Sequence, residues 1–523
     1  MNHYFNVNGK PFFAFGGQSQ NCSGYDSAEL EYFWRALKLS GGNTAEIPIS
    51  WEMVEPEEGK FDFTRVDSII EEARSGGFKL IFLWFATWKN ATMKFTPEWV
   101  KTDRKRFQRV VSYDGYELSV LSSHYAENCR GDAKAFSAVM EHIHEVDCDN
   151  TVIAMQVENE CGILGKTYRD HSPEANREFE ADVPACIMDN LVKATEGAEY
   201  EIWQKCGAKT SGSWYEVFGE DAAELFSAWS IATYINTIIE EGKKKHDIPM
   251  FVNTWLDHQD WEIPGISYPS GAPLRKTFNI WKWAGPAIDT LAPDIYKLNS
   301  YEFRDFCNFY SRENNPLLVP ESSPWNHANA RNMMYAIGDY KAAGYFLFGI
   351  EDTLMPDGGV TPDAKVIFGS FHAISAALPL IMKYSGTDKL HTIVQEEDMF
   401  EQQLQDLDGY VGLVKFDINS SADFHHKDQK ISDERGRGMV IQTQEKEFFV
   451  LGGGFSLFLR KKCRAEDFSE YKRESTVSYL RVEEGYFDQD HNWVRTRIRN
   501  GDASDYGIWV YPDIGAVRVV MDD

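Results

Sequence analysis

Length and composition exclude a disordered chain: 523 residues with 43% hydrophobic and 26% charged side chains suffice for a large core and two or more domains. The net charge of −28, from 53 Lys and Arg against 81 Asp and Glu, argues against nucleic acid, polyanionic glycans and anionic membrane surfaces. A neutral substrate is the simplest fit, and the 14% aromatic content leans toward carbohydrate, since aromatic faces stack on sugar rings as well as filling cores.

The N-terminal MNHYFNVNGKPFFAFGG has no basic segment followed by an apolar run and no small-residue cleavage site, so no signal peptide is expected. No apolar run is long enough to span a bilayer, and the eight cysteines are scattered without a C-x-x-C pair. Reduced thiols in a cytoplasmic protein are the expectation. Pro11–Gly17 reads as a first strand. Ser27–Ser40 has apolar residues at helical spacing behind a Ser N-cap and is stopped by Gly41 and Gly42. Asn43–Ile49 is the second strand, running into Trp51 and Glu52, and Thr64–Arg74 is helical. Lys79–Phe85 is the third, its exit carrying Thr87, Trp88, Lys89 and Asn90. The helix Ala133–Glu145 leads to Thr151–Glu160, an apolar fourth strand ending in polar residues. A polar excursion over Ile163–Glu220 precedes the helix Ala222–Lys244 and a fifth strand, Pro249–Asn253, followed by Trp255. Thr290–Tyr296, Pro316–Val319 and Tyr345–Ile350 complete the set, separated by helices Tyr301–Glu313 and Ala330–Ala342.

Eight strands alternating with helices predict an α/β fold, a (β/α)8 barrel over residues 1–385 with long loops at the strand C-termini, where such barrels place their sites. Beyond Gly386 the runs are short and strand-like and are separated by Gly, Asn and Asp, which predicts an antiparallel, jelly-roll-like β-sandwich over residues 386–523.

Two strands deliver a glutamate to the predicted mouth: TVIAMQVENE ends in Glu158, Asn159 and Glu160, and PLLVPESSP carries Glu321. Unpaired charge is costly to bury, so carboxylates closing apolar strands mark an opening to solvent. Paired carboxyl groups about 5–5.5 Å apart perform retaining glycoside hydrolysis, one protonating the leaving oxygen and the other attacking the anomeric carbon. Any single glutamate is more ordinarily a solvated loop residue. Alternation does not separate Glu158 from Glu160, since residues two apart on a strand share a face, although Glu160 lies nearer the open end. Glu351, Glu46 and Glu52 compete for the second role. His142 and His144 sit two apart on a helix and do not converge on a metal. Asp170-His171 is a loop pair without an evident partner, the clusters Glu55–Glu58 and Glu396–Asp398 read as solvated faces, and Gly452–Gly454 opens no helix that would hold a phosphate. No cofactor and no metal are implied.

The run QVENE followed by Cys-Gly resembles the acid/base motif of glycoside hydrolase family 35 β-galactosidases, in the clan of (β/α)8 retaining hydrolases. NTAEIPISWEMVEPEEGKFDF resembles the family's second-strand signature, LWFATWKN its third, and the β-rich tail the C-terminal domain of a bacterial branch. The resemblance implies Glu160 as general acid and then base, Glu321 as nucleophile, Asn159 on the sugar 2-hydroxyl, and Tyr296 orienting the nucleophile. Trp88, Asn90, Trp51 and Trp255 are candidate sugar contacts, with packing at the barrel rim the alternative for the tryptophans. Ala86-Thr87-Trp88 stands where many members have Ala-Glu-Trp, so a galactose-recognising carboxylate is missing. The expected function is a retaining exo-β-galactosidase acting on neutral oligosaccharides. Alternatives are a β-glucosidase, β-xylosidase or family 42-like enzyme, or a sugar-binding barrel without catalysis. The composition is compatible with a homo-oligomer.

Overall fold

Eight strands join in one sheet: β1 (Ala14–Gln18), β2 (Thr44–Ser50), β3 (Lys79–Lys89), β4 (Val152–Asn159), β5 (Met250–Thr254), β6 (Thr290–Pro293), β7 (Leu318–Val319) and β8 (Gly344–Phe348). The protein is seen in a computed structural model that describes residues 3–257, 261–396, 402–416, 435–462, 479–505 and 507–522. The strand order is β6-β5-β4-β3-β2-β1-β8-β7, and the pairings from β1 through β6 are parallel. The two ends of that order meet: the Ile295 N–H donates to the Glu321 carbonyl at 3.0 Å, and Asn315 bonds both backbone groups of Leu291. The sheet is therefore closed, as a (β/α)8 barrel requires.

The strand sequences explain their burial. β2 and β4 are buried at every position, the pattern of strands covered on both faces. Helix α1 (Ser27–Ser40) ends where Gly41 adopts φ +75°, a conformation that favours glycine. Its first turn is capped by Asp26, whose Oδ1 accepts the Ala28 N–H at 2.8 Å, not by Ser27, whose hydroxyl turns to Glu72. Helices α2 (Thr64–Gly76), α3 (Ala126–Val146) and α4 (Ala222–Lys243) follow the expected spacing. The excursion after β4 is not loop throughout. It carries four short helices, Pro173–Glu180, Ala185–Leu191, Ala198–Lys205 and Trp214–Phe218. The expected first strand divides, its first half pairing in a hairpin of Phe5–Val7 with Lys10–Phe12.

The chain divides into two compact units. One holds Met1–Phe33, Asn43–Ile295 and Arg312–Glu321; the other holds Trp34–Gly42, Tyr296–Ser311 and Ser322–Asp523. Within the second, a six-stranded antiparallel sheet runs β9 (Leu390–Val394), β12 (Arg437–Gln444), β13 (Glu447–Gly453), β18 (Ala516–Met521), β15 (Tyr479–Phe487) and β16 (Trp493–Arg499). A four-stranded sheet runs β10 (Gln402–Leu407), β11 (Tyr410–Lys415), β14 (Phe455–Lys461) and β17 (Ile508–Val510). Val440, Val450 and Val519 of the first share one core with Val414, Leu457 and Val510 of the second, the packing of a β-sandwich. No single described helix is long and apolar enough to cross a membrane.

Glu55, expected on a solvated face, and Asp170, expected in a loop pair without an evident partner, are both buried. Glu55 accepts the Trp51 indole N–H at 2.9 Å and the Gly59 N–H at 2.8 Å, and Asp170 accepts from Val111, Ser122 and Ser172. Each carboxylate organises a loop by collecting its donors. Glu397 and Asp398 lie outside the described residues.

Candidate active site

Strand register brings polar side chains from six strand ends together. Gln18 closes β1 and pairs with Glu46 on β2, so the two stand side by side. Gln18 donates its Nε2 to Glu321 Oε1 at 2.9 Å. One carboxyl oxygen from each of Glu160, Asp294 and Glu321 lies within 4.8 Å of the others. Asn253, on β5, donates to Asp294 Oδ2 at 2.8 Å and to Asn159 Oδ1 at 3.3 Å, and its own Oδ1 accepts the Glu160 backbone N–H at 3.0 Å. All four carboxyl residues are buried, Glu160 at 8% exposure and Glu321 at 4%.

Electrostatics follow from burial and crowding. Glu160 is pushed up to about 8, first by burial and then by the charge of Glu321, against the opposing pull of Lys89 and a hydrogen bond from Asp294. Asp294 is held well above the carboxylate range by burial, then by Glu321 and Glu160. Glu46 is raised by burial and by Glu321, and neither of its oxygens has a hydrogen-bond partner among the described residues. Lys89 is the cation whose charge acts on Glu160 and Asp294; its ammonium stands 5.1 Å from the centroid of the Phe85 ring. At neutral pH the cluster thus offers a protonated acid opposite a second carboxyl group at covalent-catalysis spacing. Glu160, Asp294 and Glu321 are also spaced to hold a metal ion, an all-oxygen set of the kind hard cations take.

Glu158 and Glu160 do not share a face. Both adopt positive φ, +64° and +48°, which breaks the strand alternation on which that expectation rested. Glu158 turns to the backbone N–H groups of Ala86, Thr87 and Trp88, while Glu160 turns to Glu321. Asn159 Oδ1 also accepts from Gln156, and its Nδ2 donates to Asn90 Oδ1 at 3.3 Å, so Asn159 and the exposed Asn90 lie beside the cluster.

The other expected contacts are placed differently. Trp51 begins a short helix, Trp51–Val54; its indole is fully buried, bonded to Glu55 and set edge-on to Trp99. Trp88 is 1% exposed and packs edge-on to Tyr234 of α4. These two tryptophans are rim packing. Trp255 is half-buried beyond β5, and Tyr296, also half-buried, follows β6 in the second unit. Gln18, Lys89, Asn253 and Asp294 were not singled out as ligands of the cluster. Asp294 carried a readable signal, a carboxylate closing the apolar run TLAP, the same signal that marks Glu321.

Residues 25–195 match a family model described as Beta-galactosidase, that of glycoside hydrolase family 42 and not family 35, and residues 367–511 match one described as a domain of unknown function (DUF5597). No curated protein sequence matches the chain. Among solved structures the chain is similar to a catalytic mutant of a family 42 β-galactosidase from G. stearothermophilus, with a TM-score of 0.50 and 14% identity over 74% of this chain and 59% of that one. It is similar also to the catalytic domain of a β-amylase from Paenibacillus polymyxa, with a TM-score of 0.50 and 12% identity over 68% of this chain and 97% of that one. The chain thus spans about three fifths of the β-galactosidase it matches, and these likenesses speak to the barrel fold.

Proposed function

We propose that the chain is a glycoside hydrolase of the (β/α)8 clan and, within it, a retaining, exo-acting β-galactosidase of neutral oligosaccharides. The observation that carries the mechanism is the approach of Glu160 and Glu321 to within 4.8 Å, short of the roughly 6.5–9.5 Å an inverting enzyme needs to seat a water. Glu160, protonated below about 8, gives its proton to the leaving oxygen while Glu321 attacks the anomeric carbon. Esterification of Glu321 removes the charge that helps hold the Glu160 proton, so Glu160 then takes a proton from the incoming water. Asn159, fixed by Gln156 and Asn253, is positioned to bind the sugar hydroxyl beside the reacting carbon. Gln18 holds the Glu321 carboxylate in its attacking orientation.

Galactose as the sugar is supported by the family 42 match over residues 25–195 and by the family 35-like motifs. The same match favours the second reading, a family 42-like enzyme. The described cysteines carry free thiols, in keeping with a cytoplasmic enzyme. A panel of aryl β-galactoside, β-glucoside and β-xyloside tests the sugar, and proton NMR of the first-formed anomer tests the mechanism. Release from the β-galactoside with the β-anomer appearing first is expected. Cleavage of another sugar alone removes the galactose assignment, and the α-anomer first removes retention.

A further inference from the structure

The segment that leaves Glu160 is woven to its neighbours on both sides. Ile163 and Ser270 exchange backbone hydrogen bonds, each 2.9 Å, and the N–H groups of Gly165 and Lys166 both donate to the Gly265 carbonyl, at 3.1 and 3.0 Å. Glycine permits this closeness. A Cβ on Gly265 would stand 2.2 Å from the Thr167 carbonyl oxygen, and one on Gly165 would stand 2.8 Å from Leu118. Leu118 belongs to a hairpin that follows β3, Arg109–Val111 with Glu117–Leu121. The Val111 N–H of that hairpin donates to Asp170 Oδ1 at 2.9 Å, and its carbonyl accepts the His171 N–H at 2.8 Å. The loops after β3, β4 and β5 therefore make one wall, with the residues that follow Glu160 at its centre. The β5 loop starts beside the acid, since Asn253 accepts the Glu160 N–H at 3.0 Å. It is also pinned to α4, where the Tyr268 hydroxyl donates to Glu224 at 2.9 Å and Lys276 meets the same carboxylate at 2.9 Å.

This fixed wall presents apolar surface to solvent. On the β5 loop Trp261 is 75% exposed, Ile266 53% and Ile263 43%, and the hairpin exposes Tyr113 and Tyr116. Single exposed apolar side chains are ordinary, but three of them within residues 261–266, on a loop held at this many points, form a patch that asks for an occupant. Glu262 is the only charged residue in 261–272, so the patch suits a neutral one. We propose that the wall is the aglycone surface, and that Trp261 stacks on a sugar ring of the leaving group, which makes the preferred substrate a chain of neutral sugars longer than a disaccharide. The inference rests on Glu160 as the acid of the proposed reaction. The group that protonates the glycosidic oxygen has the aglycone on its own side of the scissile bond, and the chain leaving Glu160 runs straight into this wall. A pyranose ring offers an apolar face to an indole, which supplies a large rigid contact at small entropic cost. Trp51 and Trp88 are committed to packing, whereas the Trp261 ring is free to take that part.

Two substrates separate the wall from the reacting centre: β-galactosyl fluoride, which has no aglycone ring, and β-1,4-galactotetraose, which has a chain of them. Trp261→Ala is expected to lower kcat/KM on the tetrasaccharide about tenfold, chiefly through KM, and to leave the fluoride within about twofold. Trp261→Phe should restore most of the loss. On the Glu321→Gly background, where turnover is removed, Trp261→Ala should weaken calorimetric binding of the tetrasaccharide by the same factor. Equal losses on the fluoride and the tetrasaccharide overturn the inference. So does an unchanged tetrasaccharide KM together with a fall in the solution mass of Trp261→Ala, which gives the patch to a second copy of the chain. If the unsubstituted chain cleaves neither substrate while Trp261→Ala still weakens tetrasaccharide binding, the functional reading falls and the sugar-binding wall stands. If that binding is unaltered, the wall falls.

Discussion

The barrel mouth and the C-terminal sandwich both bury charge, and they handle it in opposite ways. In the sandwich, Glu484 meets the buried Arg499 at 2.7 Å and Arg497 at 3.2 Å, while Glu483 meets Arg495 at 3.3 Å and Arg518 at 3.7 Å. Arg499 lies over the Trp509 ring and also donates to the Trp509 carbonyl at 2.8 Å. Carboxylates there are matched by guanidinium groups whose planar forks suit them. At the barrel mouth Glu46, Glu160, Asp294 and Glu321 crowd one another, and Glu46, Glu160 and Asp294 are raised toward the neutral form. Paired charge holds a fold together; crowded like charge opposes folding and is kept where chemistry needs a proton held at neutral pH.

Substitutions should expose that contrast, and the largest effect falls at the mouth. Glu321→Gly is expected to lower kcat on the order of 10⁴-fold without loss of melting temperature. Azide should restore part of the activity and yield an α-glycosyl azide from a β-glycoside. A loss of only a few-fold would move the nucleophile elsewhere. Glu484→Ala in the sandwich should do the reverse. It leaves the Arg499 guanidinium buried without its partner and should cost about 3–5 kcal/mol of stability in denaturant titration, with kcat/KM of the folded enzyme unchanged.

Glu160→Gln should stabilise. The Glu160 carboxyl titrates near its ordinary value of 4.5 in the unfolded chain and at about 8 in the fold. Between those values the unfolded state holds fewer protons, so the contribution of this residue to stability falls as pH climbs through that window. The variant should therefore exceed the parent by roughly 2–3 kcal/mol at pH 7, and the gain should vanish below about pH 4.5. A gain independent of pH would contradict the proton held on Glu160. Gln18→Leu is the mildest change: loss of the donor to Glu321 should lower kcat/KM about tenfold, roughly 1.5 kcal/mol, at unaltered melting temperature.

The fold was legible because the barrel strands are predominantly apolar and the sandwich strands are short and punctuated. β4 and the Glu160 and Glu321 positions follow from that pattern. Tertiary detail was not legible for definite reasons. Trp51 stands at a strand end, as a sugar contact would, but the chain turns there into a short helix that commits its indole to Glu55. Glu158 looked equivalent to Glu160 because strand alternation was assumed to continue, and the left-handed conformations of Glu158 and Glu160 break it. Lys89 was visible in the third-strand signature, yet its meaning depends on a bulge that sequence periodicity does not encode. Asn253 and Asp294 act through side chains from neighbouring strands, a register that appears only once the sheet closes.

The most direct test of the account is to trap the reaction on the protein. A 2-deoxy-2-fluoroglycosyl fluoride of the sugar cleaved in the aryl panel should inactivate the enzyme with a mass gain of one sugar, and peptide mapping should place that sugar on Glu321. A label on Glu46 or Asp294, or full turnover with no label on any carboxyl group, would contradict it.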